Sequence, residues 1–151
     1  AFPALYTPVA DLCHSPAYQS YIRSAMEWMD KWHDAGQLQD SDLAMAAILW
    51  PVVADLDAEG IAEVLEAQSK TIMLFEDIRQ NYMALFELEK SLTGSFTDEE
   101  AMEMVFQSQF ENAYELLLMR GETDKSLEDA IAFWTQVRSS TMSDAEAIIA
   151  A

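Results

Sequence analysis

The stretch SDLAMAAILWPVV, residues 41–53, decides the fold class because it is apolar nearly all the way round a helix. A helix without a polar face must be covered by other elements, so it belongs at the centre of a domain. Its apolar run, Leu43 to Ala54, is far shorter than the roughly 20 residues that a bilayer requires. Pro51 should kink or split the helix. The stretch therefore predicts a buried central helix and no membrane span.

Helix start signals surround this stretch. Ser15-Pro16 places a capping residue before a proline at the first helical position. Residues 97–100 and 143–146 have the pattern of capping boxes, and no segment alternates as a strand does. We predict an all-α fold, a single-domain bundle of five to six helices over residues 1–151 with an extended N-terminal arm. The predicted helices span approximately residues 16–35, 41–55, 58–92, 98–120, 126–139 and 143–150, after the irregular arm at 1–14. A break in the third helix near residues 69–71 is left open.

The charge balance is the most unusual feature of the composition. Twenty-seven acidic residues face eight basic ones, which gives a formal net charge of −19. Such a field repels phosphate backbones and anionic lipid surfaces, so we expect no direct nucleic-acid binding and no membrane binding. It attracts basic protein surfaces and cations. The acidity is also consistent with a purely solubilising surface.

Cysteine usage bears on the compartment. Cys13 is the single cysteine, so no internal disulfide can form and nothing points to an oxidising environment. The chain does not open with a positively charged segment followed by an apolar one, as a signal peptide would. These features predict a cytoplasmic protein.

The run EWMDKWHDAG, residues 27–36, offers two interpretations. Glu27, Asp30 and His33 stand at helical spacing, as metal ligands could. However, Glu27 projects to the face opposite the apolar side of the helix, and the chain has only two histidines. We interpret the run as the end of an amphipathic helix, and we predict no metal, no cofactor and no catalytic residue. Binding is then a better expectation than enzymatic activity.

The favoured functional hypothesis is an acidic protein-binding module, such as an adaptor, an inhibitor, an immunity-type protein or a mimic of DNA. Its partner would present a basic surface. The acids predicted to bind this partner lie in the last two-fifths of the chain. Beyond the first turn of a helix, clustered acidic side chains do not stabilise the fold. The predicted partner-binding residues are Glu99, Glu103, Glu111, Glu115, Glu122 and Asp124.

Two alternatives stay open. The first is a small-molecule sensor or carrier with an apolar pocket, in which an arginine among aromatic residues binds a carboxylate. The predicted pocket residues are Arg79, Tyr82, Phe86, Trp32 and His33. The structural explanation of Arg79 is an ion pair with Glu76. The second alternative is a metal-dependent enzyme that uses His33, Asp30 and helix glutamates. The methionine and aromatic content also leaves self-association open.

Overall fold

A computed structural model describes residues 14–34, 41–70, 75–139 and 149, apart from the side chains of residues 32–34 and 41–42. Within these ranges every regular element is helical, and the fold is a single small all-α domain. Seven α-helices are described where five to six were predicted. They are α1 (Pro16–Asp34), α2 (Ser41–Val53), α3 (Ala58–Ser69), α4 (Glu76–Leu92), α5 (Asp98–Val105), α6 (Phe110–Gly121) and α7 (Glu128–Arg138), with a 3₁₀ turn at Lys125–Leu127 before α7.

The larger helix count arises because two predicted long helices are each divided. The predicted helix 58–92 becomes α3 and α4, and Phe75, which precedes α4, has an extended backbone that a continuous helix could not contain. The predicted helix 98–120 is interrupted by a turn at residues 106–109. There, two hydrogen bonds of the 3₁₀ type, which span three residues, end α5. Phe106 N–H donates to the Glu103 carbonyl and Gln107 N–H donates to the Met104 carbonyl, both at 3.2 Å.

The start signals agree better with the structure than the lengths do. The first described helix begins at Pro16 with Ser15 before it, and Thr97 with Glu100 forms a complete capping box at the start of α5. Pro51 does not split α2, which continues to Val53. The arm at residues 1–13, the cap at Gly36 and the predicted helix 143–150 lie outside the described residues, except for Ile149, which is buried.

The core is organised around α6, which packs against α1, α2, α4 and α7. The largest fully buried side chain of the core is that of Trp134 from α7. The Trp134 indole N–H donates to the Leu92 carbonyl at 2.8 Å, and this bond satisfies the one polar group of the ring. The rings of Phe96, Phe110 and Phe133 lie 4.9 to 5.8 Å from it, measured between ring centroids. This aromatic cluster fixes α6 and α7 beside the end of α4.

Two tyrosines attach α1 to the central helix α2. The Tyr18 hydroxyl donates to the Ile48 carbonyl at 3.0 Å, and the Tyr21 hydroxyl donates to the Ala47 carbonyl at 2.8 Å. Both rings are buried. These hydrogen bonds fix the position of α1 along the axis of α2, and they therefore also place Tyr21 beside Trp50 at the edge of the core.

Candidate functional site

Helix α5 carries two of the predicted partner-binding acids, Glu99 and Glu103. Glu99 and Glu103 are exposed and make no ion pair with any described residue, whereas their neighbour Glu100 accepts from the Thr97 backbone N–H at 2.7 Å. Glu103 lines a surface groove of about 230 Å³ together with Phe96 and Met104. At the end of the helix Phe106 is 60% exposed. We call Glu99, Glu103 and Phe106 the α5 surface.

The other predicted acids are divided between structural contacts and solvent. Glu111 is ion-paired with Arg138 at 2.8 Å. Glu115 accepts a hydrogen bond from the Trp28 indole at 3.2 Å, and its burial raises the pKa of the carboxyl. Asp124 caps the 3₁₀ turn, where hydrogen bonds from Ser126 lower the pKa of the aspartate. Glu122 is exposed just after α6 and has no ion pair in the described part of the chain.

The structure describes three of the side chains predicted to form a ligand pocket, those of Arg79, Tyr82 and Phe86. Arg79 forms the ion pair with Glu76 that its structural explanation predicted, at 3.0 Å, and a second ion pair with Glu66 at 3.2 Å. Its Nε is buried without a hydrogen-bond partner in the described part. Tyr82 and Phe86 are buried in the core and stack on each other at 6.2 Å. The side chains of Trp32 and His33 lie outside the described residues.

A different arginine lies among aromatic residues, and the sequence-based hypotheses did not include it. Arg120, in the last turn of α6, has its guanidinium carbon 4.4 Å from the centre of the Trp50 ring, a cation–π contact. Its Nη1 donates to Glu89 Oε1 at 2.6 Å. Glu89 is completely buried, and its Oε2 has no hydrogen-bond partner among the described residues. We call Tyr21, Trp50, Glu89 and Arg120 the Arg120 cluster.

The electrostatics of this cluster follow from burial. Desolvation disfavours a charged carboxylate, and this effect raises the pKa of Glu89 from 4.5 to about 7 although Arg120 opposes the rise. Burial also raises the pKa of Tyr21, and Glu89 adds to that shift. Burial thus favours the protonated form of Glu89, while the guanidinium of Arg120 favours the ionised form. The signal that could have revealed Glu89 was its spacing, three residues from both Phe86 and Leu92 on the apolar face of α4.

Beside the cluster is a second surface pocket of about 230 Å³. Tyr21 comes from α1, Trp50 and Pro51 from α2, Arg120 from α6, and Thr123 and Asp124 from the turn that follows α6. The pocket thus joins apolar walls to one cationic and one anionic side chain.

The described residues show neither a metal-binding cluster nor a membrane-spanning helix. In the ranges that the structure describes, no three histidine, cysteine, aspartate or glutamate side chains are grouped as a metal site would require. Asp30 is exposed, and the side chain of His33 is not described. No described helix combines the length and the apolar character needed to cross a bilayer.

Most of the chain matches a known protein family. Residues 54–151, which include α3 to α7, match the family model described as polymerase A arginine-rich C-terminus. This chain belongs to that family. No curated protein and no solved structure matches the chain. The polymerase A arginine-rich C-terminus match includes the α5 surface and both Glu89 and Arg120, whereas Tyr21 and Trp50 precede it.

This member departs from the arginine-rich character in the name of its family. The matched region contains only three arginines, Arg79, Arg120 and Arg138. Each of them is paired with a carboxylate of the same chain. Apart from these ion-paired arginines, the charged side chains of the matched region are mostly acidic.

Proposed function

We propose that this chain is a binding module of a polymerase A-type protein and that its α5 surface, together with Glu122, engages a basic protein surface. One observation carries this proposal. Glu99, Glu103 and Glu122 are exposed and have no ion pair among the described residues, in a chain with a net charge of −19. Carboxylates that are not needed by their own fold are available to a partner. The proposed setting is the cytoplasm.

Charge also argues against a direct nucleic-acid role. An arginine-rich surface binds phosphates by releasing counterions, and this requires several unpaired basic side chains. Here Arg79 and Arg138 are paired with surface glutamates, and Arg120 is mostly buried beside Glu89, so the three arginines of the matched region do not form an unpaired basic surface. In the proposed complex the partner therefore supplies the positive charge that this family member lacks.

The α5 surface offers more than charge. Phe106 is 60% exposed, and the neighbouring groove exposes Glu103 beside Phe96 and Met104. Aromatic residues surrounded by polar ones are typical of protein interfaces. A partner could insert a basic side chain beside Glu103 while an apolar side chain covers Phe106.

The test is a pair of fluorescence-anisotropy titrations of the full chain. One uses a labelled arginine-rich peptide and the other a labelled oligoadenylate RNA, each at several salt concentrations. We expect the peptide to bind with an affinity that falls as salt is raised, and we expect no RNA binding at moderate salt. RNA binding comparable with peptide binding would overturn the proposal.

A matched pair of variants separates the α5 surface from general acidity. The first carries Glu99→Gln, Glu103→Gln and Glu122→Gln. The control neutralises the same number of exposed acids on α3 and α4, with Glu59→Gln, Glu63→Gln and Glu87→Gln. We expect the first variant to weaken peptide binding about tenfold, or about 1.4 kcal/mol, and the control to weaken it much less. Equal losses would locate the attraction in the whole charge and not at this surface.

A further inference from the structure

The pocket beside the Arg120 cluster unites groups that complement one class of small molecule. We propose that it binds a free α-amino acid with an apolar side chain. The ligand carboxylate pairs with Arg120, its ammonium group pairs with Asp124, and its side chain packs on Trp50 and Pro51. This site differs from the α5 surface, so the inference does not rest on the proposed protein-binding function.

Arg120 has donors available for a carboxylate. A guanidinium carries five N–H donors in a planar fork, and Glu89 occupies Nη1 only. Nε and Nη2 have no acceptor among the described residues, and Arg120 lines the pocket. The contact with Trp50 at 4.4 Å holds the fork in place before a ligand arrives. The donors that Glu89 does not occupy can bind a second carboxylate.

Asp124 supplies the opposite charge on the same rim. It lies one helical turn after Arg120, and its backbone N–H donates to the Arg120 carbonyl at 3.1 Å. Hydrogen bonds from Ser126 to Oδ1 keep the aspartate ionised, and no partner is described for Oδ2. A zwitterion satisfies both residues and has no net charge, so the field of a chain with net charge −19 does not repel it. A simple carboxylate would meet that repulsion.

The size and walls of the pocket set the remaining chemistry. An engineered cavity of about 150 Å³ holds benzene, and this pocket has about 230 Å³. It can take a ring or a branched chain with a few additional atoms. Trp50, Pro51 and Tyr21 provide the apolar walls, and the Thr123 hydroxyl lies at the rim.

The first experiment is an NMR titration of the full chain with L-phenylalanine. Two analogues serve as comparisons: 3-phenylpropionate, which lacks the ammonium group, and 2-phenylethylamine, which lacks the carboxylate. We expect saturable shifts at the Trp50 indole N–H and the Thr123 amide, with each analogue binding about tenfold more weakly. The proposal is overturned if phenylalanine gives no saturable shift up to its solubility limit, or if both analogues bind as well as phenylalanine.

Variants test the residues. Thr123→Trp fills the pocket without altering the ion pair, and the double change Arg120→Gln with Glu89→Gln removes the fork without leaving a buried charge unpaired. The control is Arg138→Gln, because Arg138 also lies near an aromatic ring, Tyr114 at 5.0 Å, but does not line this pocket. We expect both pocket variants to lose phenylalanine binding and the control to keep it. Should the double variant fail to fold, retained binding by Thr123→Trp would by itself overturn the site.

Discussion

Glu89 is a residue whose acid–base chemistry is strongly altered by the fold. It is completely buried on α4, and only one of its two oxygens, Oε1, has a hydrogen-bond partner among the described residues. Burial raises the pKa of its carboxyl from 4.5 to about 7. Because the folded state holds this proton more tightly than the unfolded chain does, protonation of Glu89 increases the free energy of unfolding at low pH. This contribution is fully present below pH 4.5 and is lost as the pH rises through about 7.

Replacing Glu89 by glutamine should therefore flatten the pH dependence of stability. The rise in pKa corresponds to on the order of 3 kcal/mol, since one pKa unit equals about 1.4 kcal/mol. Urea unfolding of the wild type should show stability falling between about pH 5 and about pH 8 more steeply than in Glu89→Gln. Glu115, whose pKa is also raised, titrates in both proteins and so cancels from the difference. Identical pH profiles would mean that Glu89 does not bind the proton.

At the scale of the elements, local signals and tertiary contacts contributed differently to what could be predicted. The starts at Pro16 and Thr97 were predictable because a cap acts within a few residues. The break before α6 was not, because Phe106 fits the apolar period of a continuous helix and yet is exposed. The exposed glutamates of α5 follow from helical periodicity, whereas the pair of Glu89 with Arg120 joins residues 31 positions apart. Such a pair depends on how α4 packs on α6, and a one-dimensional pattern does not contain that information.

Helix α5 should depend strongly on its cap. It has only eight residues, and a helix of that length is not stable alone. The Thr97 hydroxyl oxygen accepts a hydrogen bond from the Glu100 N–H at 3.2 Å, and the Glu100 carboxylate accepts one from the Thr97 N–H at 2.7 Å. We expect Thr97→Ala to cost about 1 kcal/mol of unfolding free energy and Thr97→Ser to cost much less. Urea unfolding measures both, and an equal cost would assign the loss to the missing methyl group and not to the cap.

For the whole molecule, the main electrostatic contribution to stability is the repulsion among acidic side chains. The chain has a net charge of −19, and four described salt bridges, shared among three arginines, offset little of it. Repulsion of this kind destabilises a compact state because folding brings the charges together. A family member with so few arginines should therefore fold most stably where ions screen its surface.

Salt should accordingly raise the melting temperature of the isolated chain. Between about 0.05 M and about 0.5 M NaCl the Debye length shrinks from roughly 14 Å to about 4 Å, which removes most repulsion between exposed carboxylates. The variant with Glu59→Gln, Glu63→Gln and Glu87→Gln should be more stable than the wild type at low salt, and its melting temperature should rise less as salt is added. Scanning calorimetry of both proteins measures the two slopes. A melting temperature that falls with salt, or equal slopes in the two proteins, would show that screening of these charges does not govern the stability of the fold.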